Sequence, residues 1–215
     1  MKTVFLDRDG VINENRPDHV KSWDEFVFIP GVLASLSRLR ADGWQVIVVT
    51  NQAIIHRHIV LQIVVEDING RMTETVETAG GAIDAVLYCP HDSDEGCDCR
   101  KPKPGLLFQA ARLFNLCLSE CYLVGDGFSD IAAGQAAGCT TVLVQTGRGQ
   151  QQLASPLALA FTHYHVTRDL PTAVNWLIWS ERQRSLRRFL CGLRPSPVLT
   201  QTKLPLHWST KSDST

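Results

Sequence analysis

The chain has 215 residues, of which 44% are hydrophobic and 20% charged, with a formal net charge of −1 at pH 7. This balance is typical of a globular domain and excludes a wholly disordered chain. The small net charge predicts neither a nucleic-acid nor a membrane partner, and no apolar run reaches the ~18 residues of a transmembrane helix.

Short apolar runs alternate with segments of helical spacing along most of the chain. Strands are predicted over residues 4–6, 46–49, 85–88, 122–124, 141–144 and 164–166, and helices over 32–39, 59–79, 105–114, 129–137 and 170–177. Such alternation predicts an α/β fold, a Rossmann-like doubly wound parallel sheet with helices on both faces. We expect one domain over residues 1–178.

Polar side chains follow several of the predicted strands. Asp7 and Asp9 come after the first strand, Thr50 after the second and Asp126 after the fourth. Because ligands of open parallel sheets bind at the carboxyl ends of the strands, these side chains are expected to share one site. Two acids one residue apart can act as nucleophile and general acid/base, and neighbouring carboxylates suit Mg²⁺.

The third strand leads into a loop that is rich in metal-ligating side chains. Cys89, His91, Cys97 and Cys99 form a Cys₃His set, which suits tetrahedral Zn²⁺. Four protein ligands leave no open position, so the zinc is interpreted as structural. Unpaired cysteines in a chain without a recognisable signal peptide predict a reducing, cytoplasmic location.

Together these motifs resemble the haloacid dehalogenase (HAD) superfamily of phosphatases. The resemblance covers roughly residues 1–178 and consists of a DxD pair, a Thr, a Lys and an acidic GDxxxD motif in the same order. The matching residues are Asp7, Asp9, Thr50, Lys101, Asp126 and Asp130. Only about 50 residues separate Thr50 from Lys101, and a helix, a strand and the Cys/His loop use nearly all of them. We therefore expect a capless fold whose pocket is shaped by loops.

The resemblance implies a role for each matching residue. Asp7 would attack phosphorus, and Asp9 would protonate the leaving alkoxide and then deprotonate water, which requires a raised pKa at Asp9. Phosphoryl oxygens would be held by Thr50 and Asn51, and Lys101 would neutralise charge. Mg²⁺ would lie between Asp7, the backbone carbonyl of Asp9 and Asp126, with Asp130 holding a metal-bound water.

The zinc loop is similar to that of the heptose bisphosphate phosphatases, with histidinol-phosphate phosphatases as the nearest alternative. A small phosphorylated sugar is therefore the expected substrate, and Arg57 and Arg100 are expected to bind it. Two features depart from the family. The loop 52–58 carries Ile54 and His58 where small residues and Gly are usual, and Gly127 stands where Lys is common.

Further alternatives remain open at this point. His56 and His58 are interpreted as solvated loop residues. A non-catalytic binding module with an altered loop is a third hypothesis for function. Residues 179–215 are predicted to form a basic amphipathic helix and a disordered tail that could contact a partner, and the protein is expected to be a monomer.

Overall fold

The computed structural model describes residues 2–192, with side chains described as far as Leu186. All six strands are parallel members of one sheet: β1 Lys2–Leu6, β2 Trp44–Asn51, β3 Ala85–Cys89, β4 Tyr122–Gly125, β5 Thr140–Val144 and β6 Tyr164–Thr167. Six helices connect or follow them: α1 Val32–Ala41, α2 Gln62–Thr78, α3 Gly105–Phe114, α4 Phe128–Ala137, α5 Gly149–Leu153 and α6 Leu170–Gly192. The α/β class predicted from the sequence is confirmed.

The strand order is β3-β2-β1-β4-β5-β6. Strand β1 pairs with β2 on one side and with β4 on the other, so the order of the strands reverses at β1. In doubly wound sheets a crevice for ligands forms at this reversal, beyond the carboxyl ends of the strands.

The central strands are apolar on both faces, because helices cover the sheet on both sides. Alternate residues of β1 belong to different cores: Val4 and Leu6 pack in the layer that includes α1, α2 and α6, whereas Phe5 packs in the layer of α3 and α4. All three β1 side chains have no solvent exposure. This burial fixes the end of β1, and therefore the position of the residue that follows it.

Two helical features differ from the sequence-based expectation. Helix α2 begins at Gln62 rather than at residue 59, because residues 53–60 form turns in which His58 has a φ of 53°. The short helix α5 was not predicted. Helix α6 continues to Gly192, into the segment for which the sequence predicted a basic helical extension.

The chain divides into a compact unit Met1–Glu181 and a second unit Arg182–Thr215. The predicted boundary at residue 178 stays a prediction, and it falls within α6. The predicted disordered tail lies largely outside the described residues. Within residues 2–192, no helix has both the length and the apolar character to cross a bilayer.

Candidate active site

A cleft of about 440 Å³ opens at the carboxyl ends of the central strands, where the strand order reverses. Its walls include seven of the residues that the sequence singled out: Asp7, Asp9, Thr50, Asn51, Arg57, Arg100 and Lys101. The sheet topology thus brings together side chains that lie up to 94 positions apart in the sequence.

Asp7 follows β1 and lies buried at the bottom of this cleft. Its Oδ1 accepts a hydrogen bond from the Arg8 backbone N–H at 2.7 Å and lies 2.9 Å from Lys101 Nζ. No described residue donates to Oδ2. Burial raises the pKa of Asp7 to about 6, although the positive charge of Lys101 acts in the opposite direction. At neutral pH the carboxylate is therefore ionised, with one oxygen held and one available.

Lys101 is buried among oxygen atoms. Its Nζ lies 2.9 Å from Asp7 Oδ1, 2.5 Å from Asp130 Oδ1 and 2.9 Å from the Val49 carbonyl oxygen. Burial disfavours its charge, but Asp130 and Asp7 outweigh this and raise the pKa of Lys101 above its ordinary value. Lys101 is therefore a permanent cation at the base of the cleft.

Asn51 holds the backbone of Lys101. Its Nδ2 donates to the Lys101 carbonyl oxygen at 3.0 Å, and its Oδ1 accepts from the Lys101 N–H at 3.1 Å. This pair of hydrogen bonds joins the end of β2 to the end of the loop that carries the Cys/His cluster. The resemblance had implied that Asn51 holds phosphoryl oxygens; in the structure its amide is committed to this backbone contact.

Asp9 is held by three donors. Arg8 Nη2 lies 3.0 Å from both carboxylate oxygens, Asn13 Nδ2 donates at 2.9 Å, and Gln52 Nε2 donates at 2.8 Å. Burial would raise the pKa of Asp9, but the Arg8 charge and these hydrogen bonds lower it below the ordinary value. The raised pKa that the general-acid role requires is therefore not present in this arrangement. Gln52 also donates to Thr50 Oγ1 at 3.1 Å.

Asp126 follows β4 and is fully buried beside Gly10. Its Oδ1 lies 3.0 Å from Arg148 Nη2, and its Oδ2 accepts from the Arg148 N–H at 2.8 Å. Burial raises the pKa of Asp126, and Arg148 opposes that rise. Gly10 has a φ of 86°, and a Cβ on it would lie 2.2 Å from Asp126 Oδ2, so only Gly fits next to this carboxylate.

Three carboxylates lie close enough to share one cation. Oxygens of Asp7, Asp126 and Asp130 lie within 4.8 Å of one another. Hard oxygen donors that are largely shielded from solvent suit Mg²⁺, which also retains waters and binds substrate phosphate. The donor set therefore fits Mg²⁺, as the sequence predicted from Asp7 and Asp126, with Asp130 also in reach. Asp130 additionally accepts a hydrogen bond from the Gly127 N–H at 3.0 Å.

A second group of potential metal ligands consists of Cys89, His91, Cys97 and Cys99. The three Sγ···Sγ distances are 3.2, 3.5 and 3.6 Å, and His91 Nδ1 lies 3.2 Å from Cys99 Sγ. A tetrahedral zinc with Zn–S bonds of about 2.3 Å places its sulfur ligands about 3.8 Å apart. The donor set and its spacing thus fit a closed Cys₃His zinc site.

The loop 52–58 is attached to the loop that carries this cluster by an ion pair from Arg57 and a polar contact from His56. Arg57 Nε and Nη2 lie 2.5 and 2.9 Å from the Asp92 carboxylate oxygens, and His56 Nδ1 lies 2.8 Å from Glu95 Oε2. Arg100 Nη1 donates to the His91 carbonyl oxygen at 3.0 Å. The interpretation of His56 as a merely solvated residue therefore misses its contact with Glu95. His58 has a φ of 53°, a positive value that Gly would adopt without strain.

Sequence reasoning missed two arginines of the cleft, Arg16 and Arg148. Arg148 lines the cleft, although no family motif pointed to it. Its position four residues after the end of the fifth strand, in Thr146-Gly147-Arg148-Gly149, was the available signal. A basic residue between two glycines at the carboxyl end of a parallel strand is suited to contact a ligand.

Three comparisons with known proteins agree. A sequence model described as HAD-hydrolase-like matches residues 98–173. The D-glycero-beta-D-manno-heptose-1,7-bisphosphate 7-phosphatase of Pseudomonas aeruginosa is 44% identical over 154 residues, which are 72% of this chain and 86% of that protein. The enzyme of the same name from Bordetella bronchiseptica is 40% identical over 72% of this chain and 86% of its own length.

A solved structure extends the similarity to the fold. The crystal structure of D,D-heptose 1,7-bisphosphate phosphatase from B. bronchiseptica, complexed with magnesium and phosphate, superposes with a TM-score of 0.79 at 37% identity. The match covers 84% of this chain and 99% of that one. The similarity therefore spans nearly the whole of the solved structure.

Proposed function

Because this chain belongs to the heptose bisphosphate phosphatase family of HAD-like hydrolases, we propose that it removes the C7 phosphate of D-glycero-D-manno-heptose 1,7-bisphosphate. The reaction class is phosphoric monoester hydrolysis with Mg²⁺. The names of its relatives favour the heptose over histidinol phosphate as substrate.

One observation about the site carries this proposal. The Asp7 carboxylate has Oδ1 held by the Arg8 N–H and Lys101, while no described residue donates to Oδ2. A buried carboxylate that is fixed at one oxygen and open at the other is oriented for nucleophilic attack. A non-catalytic binding module would not need this arrangement.

The proposed reaction has two steps. In the first, Asp7 Oδ2 attacks phosphorus, the bond between phosphorus and the C7 oxygen breaks, and the leaving alkoxide takes a proton from Asp9. In the second, Asp9 takes a proton from water, the water oxygen attacks phosphorus, and the bond to Asp7 breaks to release phosphate. Lys101 offsets the negative charge of Asp7 and of the phosphoryl group.

The contacts of Asp9 affect its two roles differently. With Arg8, Asn13 and Gln52 as donors, the Asp9 carboxylate is ionised and suited to accept a proton from water. Protonating the alkoxide requires a neutral Asp9, so bound substrate must weaken these three contacts. Gln52 belongs to the altered loop, and its contact with Asp9 connects that loop to the chemistry.

Mg²⁺ held by Asp7, Asp126 and Asp130 would supply charge stabilisation for the phosphoryl oxygens. Asp9 would contribute through its backbone carbonyl. Thr50 lines the cleft and remains our choice for a phosphoryl-oxygen contact, while Arg57 and Arg100 are proposed to bind the C1 phosphate or the sugar end. Asn51 is proposed to act through the Lys101 backbone.

We propose that Zn²⁺ at Cys89, His91, Cys97 and Cys99 is structural. Arg57 and Arg100 both contact the zinc loop, through Asp92 and the His91 carbonyl oxygen. A metal that orders this loop would therefore also order two substrate-binding cations. Thiol ligands require a reducing compartment, which supports a cytoplasmic location that cell fractionation would test.

Phosphate release tests the proposal. The purified protein is assayed with Mg²⁺ on both anomers of the heptose bisphosphate, histidinol phosphate and fructose 1,6-bisphosphate, beside Asp7→Asn. We expect selective hydrolysis of the heptose bisphosphate and its loss in Asp7→Asn. Release from another substrate alone would change the substrate assignment, and activity retained in Asp7→Asn would contradict the mechanism.

The remaining proposals concern association. We propose a monomer, which light scattering would test, with no nucleic-acid partner. Helix α6 presents Trp179 and Leu186 to solvent, at 58% and 54% exposure. These residues support a weak contact of the basic extension with a partner, which vesicle and nucleic-acid binding by the full chain would test.

A further inference from the structure

Binding a phosphoryl group in the cleft calls for a cation with unused N–H donors, and Lys101 does not provide one. A lysine ammonium group has three N–H donors. The Lys101 Nζ already has three oxygen neighbours, on Asp7, Asp130 and Val49. Lys101 therefore neutralises charge at the base of the cleft without a donor left for an incoming phosphoryl oxygen.

Arg148 has the donors that Lys101 lacks. Its side chain lines the cleft and is 49% exposed, and two of its nitrogens, Nε and Nη2, face Asp126. A guanidinium group has five N–H donors, and no described residue accepts from Arg148 Nη1. The Nη1 side of the guanidinium group is therefore available to a ligand in the cleft.

The fold fixes Arg148 near the reaction centre. Its own N–H donates to Asp126 Oδ2 at 2.8 Å, and the Thr146 hydroxyl two residues earlier donates to the Gly10 carbonyl oxygen at 2.7 Å. A Cβ on Gly147 would lie 2.5 Å from Gly10 Cα, so the two turns are in close contact. Burial acts to lower the pKa of Arg148, but Asp126, with smaller contributions from Asp7 and Asp130, raises it overall.

The other basic residues of the cleft have different electrostatic partners. Arg57 is paired with Asp92, and Asp92 and Asp94 are the carboxylates that raise its pKa. Arg100 donates to the His91 carbonyl oxygen. Both are attached to the zinc loop, and Arg16, which also lines the cleft, is paired with Asp18 and Glu25. Arg148 contacts Asp126 instead.

We propose that Arg148 is the cation that donates hydrogen bonds to the transferred phosphoryl group, on the Asp126 side of the cleft and opposite Lys101. The inference rests on the proposed phosphatase function. It assigns phosphoryl recognition to the turn between β5 and α5, and leaves Lys101 as the partner of Asp7.

The structure offers an exchange that tests this assignment. A Cβ on Gly127 would lie 3.3 Å from Arg148 Nη2 and 3.4 Å from Asp130 Oδ2, and Gly127 has an extended φ of −135° that any residue adopts. A lysine at 127 can therefore project into the space that Arg148 now occupies. We compare Arg148→Ala, Arg148→Lys and the double variant Gly127→Lys/Arg148→Ala, with exposed Arg112→Ala as the matched control.

Two readouts are taken at saturating Mg²⁺, with zinc content and thermal unfolding as checks on folding. Steady-state kinetics gives KM and kcat for the heptose bisphosphate, and ³¹P line broadening gives the affinity for inorganic phosphate without turnover. In Arg148→Ala we expect both the KM and the phosphate dissociation constant to rise about 10- to 100-fold, the loss typical of a charged hydrogen bond. Arg148→Lys and the double variant should recover to within about tenfold of wild type.

Unchanged phosphate affinity in folded Arg148→Ala would overturn the assignment. If Arg148→Ala regains full activity when Mg²⁺ is raised above the concentration that saturates wild type, the assignment is also overturned, because Arg148 would then act only through Asp126. A double variant as weak in phosphate binding as Arg148→Ala would do the same. If wild type leaves the heptose bisphosphate intact while Arg148→Ala still loses phosphate affinity, the proposed substrate fails and this inference stands.

Discussion

Replacing the nucleophile Asp7 with Asn should make the Mg²⁺-free protein more stable. Burial raises the pKa of Asp7 from 3.8 to about 6, even with Lys101 at 2.9 Å, so the fold favours the neutral carboxyl over the ionised one. Asn is neutral and nearly isosteric, and its carbonyl oxygen can keep the Arg8 N–H bond. The substitution removes the charge and retains the shape.

The sign and size of the effect follow from proton linkage. Since the folded pKa lies above the unfolded value, the contribution of Asp7 to stability is fully present below pH 3.8 and is lost as pH rises through about 6. A difference of about two pKa units corresponds to about 3 kcal/mol. At pH 7 the ionised Asp7 therefore lowers the free energy of unfolding by about 3 kcal/mol, and Asp7→Asn should recover most of it.

Urea unfolding of the zinc-loaded protein at pH 7 without Mg²⁺ measures this difference. Asp9→Asn is the matched control with the opposite sign, because burial acts to raise the Asp9 pKa but Arg8 and three hydrogen bonds lower it overall. Its ionised form stabilises the fold, so Asp9→Asn should be less stable than wild type. Mg²⁺ at about 100 times its dissociation constant should add about 2.7 kcal/mol to wild type and much less to Asp7→Asn.

A stability of Asp7→Asn at or below wild type would refute this reasoning. It would mean that Lys101 and its surroundings already compensate the Asp7 charge fully in the metal-free fold. An equal gain in the free energy of unfolding for Asp9→Asn and Asp7→Asn would also contradict it. The effect would then come from the change in net charge and not from the environment of each carboxylate.

Three further predictions concern the loop, the zinc cluster and the last helix. Cys97→Ser should lower zinc from one per chain while Asp7→Asn retains it, by metal analysis; equal zinc in both would exclude Cys97 as a ligand. His58→Gly should gain up to about 1 kcal/mol in urea unfolding, since φ is 53° there; a loss would show that the His58 side chain stabilises the loop. Asp169 accepts from Thr172 N–H and Oγ1 at 2.9 and 2.6 Å, so Asp169→Ala should lose about 1 kcal/mol at pH 7, and none below the pH where Asp169 is protonated.

The fold was largely predictable because its signals are local. Six apolar runs marked the six strands, and helix α3 was predicted with the bounds that the structure has, Gly105–Phe114. Helix α5 was not predicted because Gly149–Leu153 contains three consecutive glutamines and no apolar residues at helical spacing. The start of α2 was missed because Ile59 and Leu61 extend the apolar pattern backwards while the chain is still in turns.

The sequence predicted which residues form the site better than it predicted the contacts between them. Asp7 and Asp126 could be placed together because they follow β1 and β4, which are adjacent strands, and Lys101 could be added because it matches the lysine of the HAD motif set. The partners of Asp9 and Asn51 could not be predicted, since they depend on tertiary packing over distances of a few ångström. Arg148 belonged to no motif, so its position relative to Asp126 became visible only in three dimensions.

The contact of Asn51 with Lys101 has a consequence for how this protein can be rebuilt. The Asn51 amide binds a peptide unit rather than a side chain, and it closes a stretch of 50 residues at both N–H and C=O. Helix α2 and strand β3 belong to the core and the sheet, so the part of this stretch that can vary is the loop between β3 and Lys101, residues 90–100. That loop needs to present one correctly oriented peptide group at its end, so a loop of different length and sequence, with or without cysteines, can leave the nucleophile and its lysine in register and is a natural point for grafting new specificity.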